Sequence, residues 1–180
     1  ISEDMLFVAR EKARKSGLQV SYICQDMTEL TLHRPVDAII CMCDGFNYIL
    51  EEAKLKQTFQ RIYQYLNPGG ILVFDISTYY KLASILGNNT MADSDEEISF
   101  IWFNNFDRQS RILEMNLTFF KKENGLYKRA DETHYQRAYY TEEITALLQE
   151  SGFCDINVYS ANDLKPPGKR NHRVFFSATV

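Results

Sequence analysis

The chain has 180 residues, 45% of them hydrophobic, and a net charge of −4 from 20 basic and 24 acidic side chains. That suffices for one packed domain with a small insert. No basic block stands out, which argues against a nucleic-acid partner. No apolar run reaches the roughly 18 residues of a membrane span, so no membrane association is expected.

Residues 2–16 predict a helix. Ser2 caps it, Glu3 and Asp4 suit its positive end, and Lys12, Arg14 and Lys15 suit its negative end. Met5, Leu6, Ala9 and Ala13 form an apolar stripe, and Gly17 supplies the stop. Residues 19–25, Gln-Val-Ser-Tyr-Ile-Cys-Gln, read as a strand ending at Asp26-Met27. Residues 36–43 are a near-continuous apolar strand that runs into Asp44-Gly45-Phe46-Asn47. An amphipathic helix over 51–66 turns Leu55, Phe59, Ile62, Tyr63 and Leu66 inward and stops at Asn67-Pro68-Gly69-Gly70. A second apolar strand, 70–76, ends at Ser77, and a short helix is expected over 79–86.

The pattern then changes. Residues 98–139 are rich in aromatic and β-favouring side chains, with turn signals at 105–108 and 123–125. Three antiparallel strands fit, near 99–106, 111–121 and 125–139. The acidic run 93–97, with no histidine nearby, reads as a solvated loop. Thr141 is expected to cap a helix that ends at Ser151-Gly152-Phe153. Two closing strands, 155–160 and 172–180, flank a Pro166-Pro167-Gly168 loop. The order predicts an α/β fold built on a mostly parallel sheet with a carboxyl-terminal antiparallel hairpin. The domain division expected is 1–90 with 140–180 for the α/β part and 91–139 for the β-rich insert.

Two buried parallel strands that end in small polar or acidic residues deliver those groups to the carboxyl edge of a sheet, where open α/β sheets bind ligands. Cys24, Cys41, Cys43 and Cys154 mostly lie in apolar runs, so reduced, buried thiols in a cytoplasmic protein are expected, and no signal-peptide pattern is seen. No metal is expected, because His33, His134 and His172 are isolated from the Cys41-Met42-Cys43 pair.

In this order, Ser2-Glu3-Asp4-Met5-Leu6, Gln25-Asp26-Met27, Cys43-Asp44-Gly45-Phe46-Asn47-Tyr48 and Leu66-Asn67-Pro68-Gly69-Gly70 resemble class I S-adenosylmethionine-dependent methyltransferases, specifically the small-molecule branch. The resemblance covers most of the chain and implies a Rossmann-like sheet, S-adenosylmethionine as cofactor, and a small-molecule substrate methylated at nitrogen or oxygen by in-line displacement. It implies that Asp26 and Met27 hold adenine. A carboxylate can accept from the exocyclic amine while the next backbone N–H donates to a ring nitrogen. Capping of the following turn is the other role open to Asp26. Cys43, Asp44 and Gly45 would line the methionine end, with Asp44 the candidate catalytic residue facing a substrate amine; bonding backbone groups of its own turn is the other role open to Asp44. The insert would cover the substrate, and Tyr79, Tyr80, Trp102, Arg137 and Tyr139 would contact it.

The segment after residue 43 departs from the Asn/Asp-Pro-Pro-Tyr box of nucleic-acid amino-methyltransferases. The family's Gly-rich turn and second-strand acidic residue have no counterpart in the chain. In the family's sheet the first two strands separate the third from the fourth, so roughly 40 or more preceding residues are expected to complete it. Without them, weak cofactor binding is expected. Two rival readings stay open at this stage: a non-catalytic protein that kept the fold, and another nucleotide-dependent α/β enzyme. Oligomeric state is not legible.

Overall fold

A computed structural model describes residues 2–180. Helix α1 (Glu3–Lys15) is capped as its sequence dictates, with Ser2 Oγ accepting from Met5 N at 3.2 Å. Its apolar stripe is poorly covered by the described residues: only Ala13 is buried, and Met5 is 73% exposed. Residues 19–25 form no strand. They pair with no other strand among the described residues, and Val20 and Ile23 are exposed. β-propensity alone cannot make a strand without a ladder partner. Strand β1 (Val36–Cys41) stops two residues short of expectation, because Cys43 and Asp44 enter the left-handed region at φ 64° and 50°.

Helix α2 (Glu52–Tyr65) leads into β2 (Leu66–Ser77), which runs parallel to β1. The carboxyl-terminal segment supplies α3 (Thr141–Glu150), β7 (Cys154–Ser160) and β8 (Arg173–Thr179). Tyr140, not Thr141, occupies the cap position of α3, and its N–H donates to Glu143 Oε2 at 2.9 Å. The sheet order is β1-β2-β8-β7, with β8 antiparallel to both β2 and β7. The expected mostly parallel sheet is thus a mixed one among the described residues, since the closing hairpin places two antiparallel pairings beside a single parallel one. One consequence governs the site: the amino end of β8 lies beside the carboxyl end of β2, with Ser77 opposite Arg173.

The core lies between this sheet and helices α2 and α3. Phe74 is fully buried, stacks on Phe176 at 4.8 Å, and meets Phe46 edge-on at 4.9 Å. A π-helical segment, Lys81–Leu86, stands where a short helix was expected, and it leads to a second, antiparallel sheet. That sheet comprises β3 (Thr90–Ser94), β4 (Ile98–Asp107), β5 (Ile112–Glu123) and β6 (Leu126–Arg137). Four strands replace the three expected, because half of the acidic run belongs to β3. The other half makes the hairpin, where Asp95 Oδ1 accepts from Glu97 N and Ile98 N at 2.8 and 2.7 Å. Leu82, Leu86, Phe106, Leu113 and Met115 form a separate core beneath this sheet.

The cysteines depart from expectation. Cys24, Cys43 and Cys154 are exposed and Cys41 is half-buried. Each exposed one lies outside the covered strands: in the irregular 19–25 segment, in the left-handed turn, or at the start of the edge strand β7.

Truncating Phe74 to alanine removes the ring that both the stacked and the edge-on contacts share. Urea denaturation is expected to show a loss of about 3–5 kcal/mol with a cooperative transition retained; a loss below about 1 kcal/mol would place the core elsewhere.

Candidate active site

The carboxyl edge of the β1–β2 pair gathers charge. Asp75 sits in an otherwise apolar stretch of β2 and is 1% exposed. Its Oδ2 accepts from Arg173 Nη1 and, at 3.2 Å, from the backbone N–H of Asp44. The second bond holds the left-handed turn after β1 in place. Asp44 then points its carboxylate across the edge. Its Oδ2 accepts from Ser77 Oγ at 2.8 Å and Gln136 Nε2 at 3.0 Å, and its Oδ1 accepts from Arg173 Nη2 at 3.3 Å. Lys81 Nζ donates to Ser77 Oγ at 3.0 Å, extending the chain to the π-helical segment.

Asn47, fully buried, fixes this edge to the second sheet. Its Nδ2 donates to Ser77 O and Arg137 O at 3.0 and 2.9 Å, and its Oδ1 accepts from Ser77 N at 2.9 Å. All of its side-chain polarity is thereby spent on backbone that would otherwise be orphaned.

The electrostatics follow from this wiring. Burial alone would raise the Asp44 carboxyl, but hydrogen bonds from Ser77 and Gln136 and the charges of Arg173 and Lys81 together hold it below the usual carboxylate range. Burial lowers the Lys81 ammonium, and Arg173 adds to that, against the pull of Asp44 and Asp75. Burial, with Asp75 and Cys43 nearby, pushes the Cys41 thiol up to about 11, which keeps it protonated at neutral pH.

The adenine-end and methionine-end residues expected from sequence are neighbours. A Cβ built on Gly45 would meet Met27 Cε at 3.3 Å and Cys41 Sγ at 2.9 Å, so the tips of both side chains lie against its backbone. Asp26 does cap its turn, with Oδ1 accepting from Thr28 N and Oγ1 at 2.8 Å each. Its second oxygen has no partner among the described residues, so capping leaves an acceptor free for an amine. Cys43 is exposed beside them. This donor and acceptor set fits an adenosyl cofactor.

The aromatic residues divide between two cavities. One of about 180 Å³ is lined by Asp44, Tyr48, Lys81, Trp102, His134 and Gln136, with Leu86, Met115 and Leu117 as its apolar floor. Another of about 420 Å³ lies between Tyr79, Tyr80, Tyr139, Tyr140 and the loop through Pro167 and Lys169. Tyr79 stacks on Tyr140 at 4.7 Å there. Tyr139 is 1% exposed and its hydroxyl donates to Ile49 O at 2.6 Å. Arg137 lines neither cavity; it donates to Leu50 O at 2.9 Å and lies over the Tyr139 ring.

Four residues of the network escaped the sequence reading: Asp75, Lys81, Gln136 and Arg173. A carboxylate inside an apolar strand demands a buried partner, and that signal alone could have flagged Asp75. Strand alternation separates Gln136 from Arg137, and only the pairing of β6 with β5 decides which of the two faces Asp44.

Asp44 also makes a pH prediction. Its folded value lies below the unfolded 3.8, so ionised Asp44 stabilises the fold above that pH, and the contribution is lost as pH falls through the folded value. Thermal melts of wild type and Asp44→Asn on descending pH should show a flatter acid limb in the variant. Identical limbs would remove Asp44 from the network.

Known proteins resemble this chain in sequence and in fold. A model of the methyltransferase domain matches residues 1–70, which include Asp26, Met27 and the Cys43–Gly45 turn. A methyltransferase relative from Geobacillus sp. (strain WCH70) is 36% identical over 179 residues, covering 99% of this chain and 72% of the relative. The methyltransferase YqeM of Bacillus subtilis (strain 168) is 35% identical over 181 residues, with the same shares covered. The crystal structure of an S-adenosylmethionine-dependent methyltransferase from Clostridium acetobutylicum ATCC 824 superposes with a TM-score of 0.94 at 34% identity, over 99% of this chain and 72% of that one. With relatives this similar over 99% of its length, the chain belongs to the class I S-adenosylmethionine-dependent methyltransferases.

Proposed function

We propose that this methyltransferase acts on a small molecule, at nitrogen or oxygen, in the cytoplasm. The observation that carries the reading is the fixed, ionised Asp44 at the edge of a 180 Å³ cavity, a volume suited to a compact acceptor and not to a nucleic-acid strand. Asp26 and Met27 would hold adenine, and Cys43, Asp44 and Gly45 the methionine end. When bound, S-adenosylmethionine supplies an electrophilic methyl carbon to the acceptor's lone pair.

The chain's own residues do the rest by placement and charge. Asp44 is a poor proton acceptor at neutral pH, because its carboxyl titrates below the usual range and its oxygens already take three donors. Its role is a fixed negative charge that orients a cationic group, such as a sulfonium or a substrate amine. Trp102 walls the small cavity, and Tyr79 and Tyr80 wall the larger one, while the second sheet (within residues 91–139) covers the acceptor and limits water. The α/β part (1–90 with 140–180) would carry the cofactor. Arg137 and Tyr139 would support the acceptor from behind, by fixing the start of α2 and the Ile49 carbonyl.

Calorimetric titration of S-adenosylhomocysteine into the full-length gene product tests the cofactor assignment. Saturable one-to-one binding, weakened about tenfold or more by Asp26→Ala, is the expected result. A folded protein that takes up none would sink it.

A further inference from the structure

The small cavity holds an unspent cation. Lys81 has three donor protons, spends one on Ser77 Oγ, and has no carboxylate in ion-pair contact among the described residues. The two carboxylates of the edge are instead bridged by Arg173. The Trp102 ring lines the same cavity, and Leu86, Met115 and Leu117 supply an apolar floor next to the Lys81 ammonium.

We infer that the small cavity binds an acceptor molecule bearing a carboxylate on a compact apolar body, with Lys81 as its counter-ion and the Trp102 ring as part of the wall against that body. The inference rests on the methyl-transfer reading above and names the substrate class of that site. His134, the other titratable group on this wall with Tyr48, is engaged with Glu132 Oε2 at 3.1 Å and does not compete for that anion. The lowered Lys81 pKa reports the same desolvated, under-paired ammonium.

Trp102 is the chain's single tryptophan, which makes its fluorescence a reporter inside the cavity. Isovalerate is titrated into the protein, with isovaleramide as the uncharged control of equal shape. Excitation at the red edge of the indole band excludes tyrosine. A saturable change with isovalerate, at least about tenfold weaker with the amide and with Lys81→Gln, and largely restored in Lys81→Arg, supports the carboxylate site. Arginine keeps the charge but cannot act as a base, so its rescue also assigns Lys81 to binding. Equal responses to acid and amide, an unchanged Lys81→Gln titration, or no response in a protein with native circular dichroism would each overturn the inference. S-adenosylhomocysteine calorimetry on the same samples reports the cofactor reading separately: isovalerate binding without cofactor binding would keep the carboxylate site and defeat methyl transfer.

Discussion

The pairing of Asp75 with Arg173 is the constraint on which the site depends. A carboxyl side chain 1% exposed within an apolar strand needs a polar partner, and here the partner comes from the neighbouring strand. An antiparallel β8 provides it, because that direction brings residue 173 to the carboxyl end of β2. A parallel last strand would bring its carboxyl terminus there instead. The mixed sheet is therefore a requirement of the charge arrangement at this edge.

From that pair the rest of the edge follows. Asp75 fixes the Asp44 N–H and with it a turn whose two left-handed residues cost conformational energy. Arg173 reaches onward to Asp44, and Gln136 reaches the same carboxylate from the second sheet. Asn47 locks the two layers together through backbone atoms of Ser77 and Arg137. One carboxylate thus receives contacts from β2, β6 and β8, which is how a cavity between two sheets acquires a charge of fixed position.

Sequence revealed the elements better than their neighbours. Capping, amphipathic spacing and turn residues located α1, α2, α3 and the long strands of the second sheet, because these signals are local. The segment 19–25 has the alternation of a strand but no ladder among the described residues, and pairing is not a local property. The Asp26-Met27 and Cys43-Asp44-Gly45 segments were singled out through their family resemblance, and the fold brings Met27 Cε and Cys41 Sγ against the Gly45 backbone. Lys81, Gln136 and Arg173 were not legible. Each is an ordinary polar residue until the crossing of β8, the π-helical turn and the register of β6 aim it at Asp44.

A double-mutant cycle between Asp75→Asn and Arg173→Met, read by urea denaturation, tests the central pairing most directly. Arg173→Met should cost about 3 kcal/mol or more, by leaving the buried Asp75 side chain without its partner; Asp75→Asn should cost less, because Arg173 keeps Asp44, and the double variant should cost clearly less than the sum. Strictly additive losses would mean that the two residues do not sense each other, and the account of the site built on their pairing would be wrong.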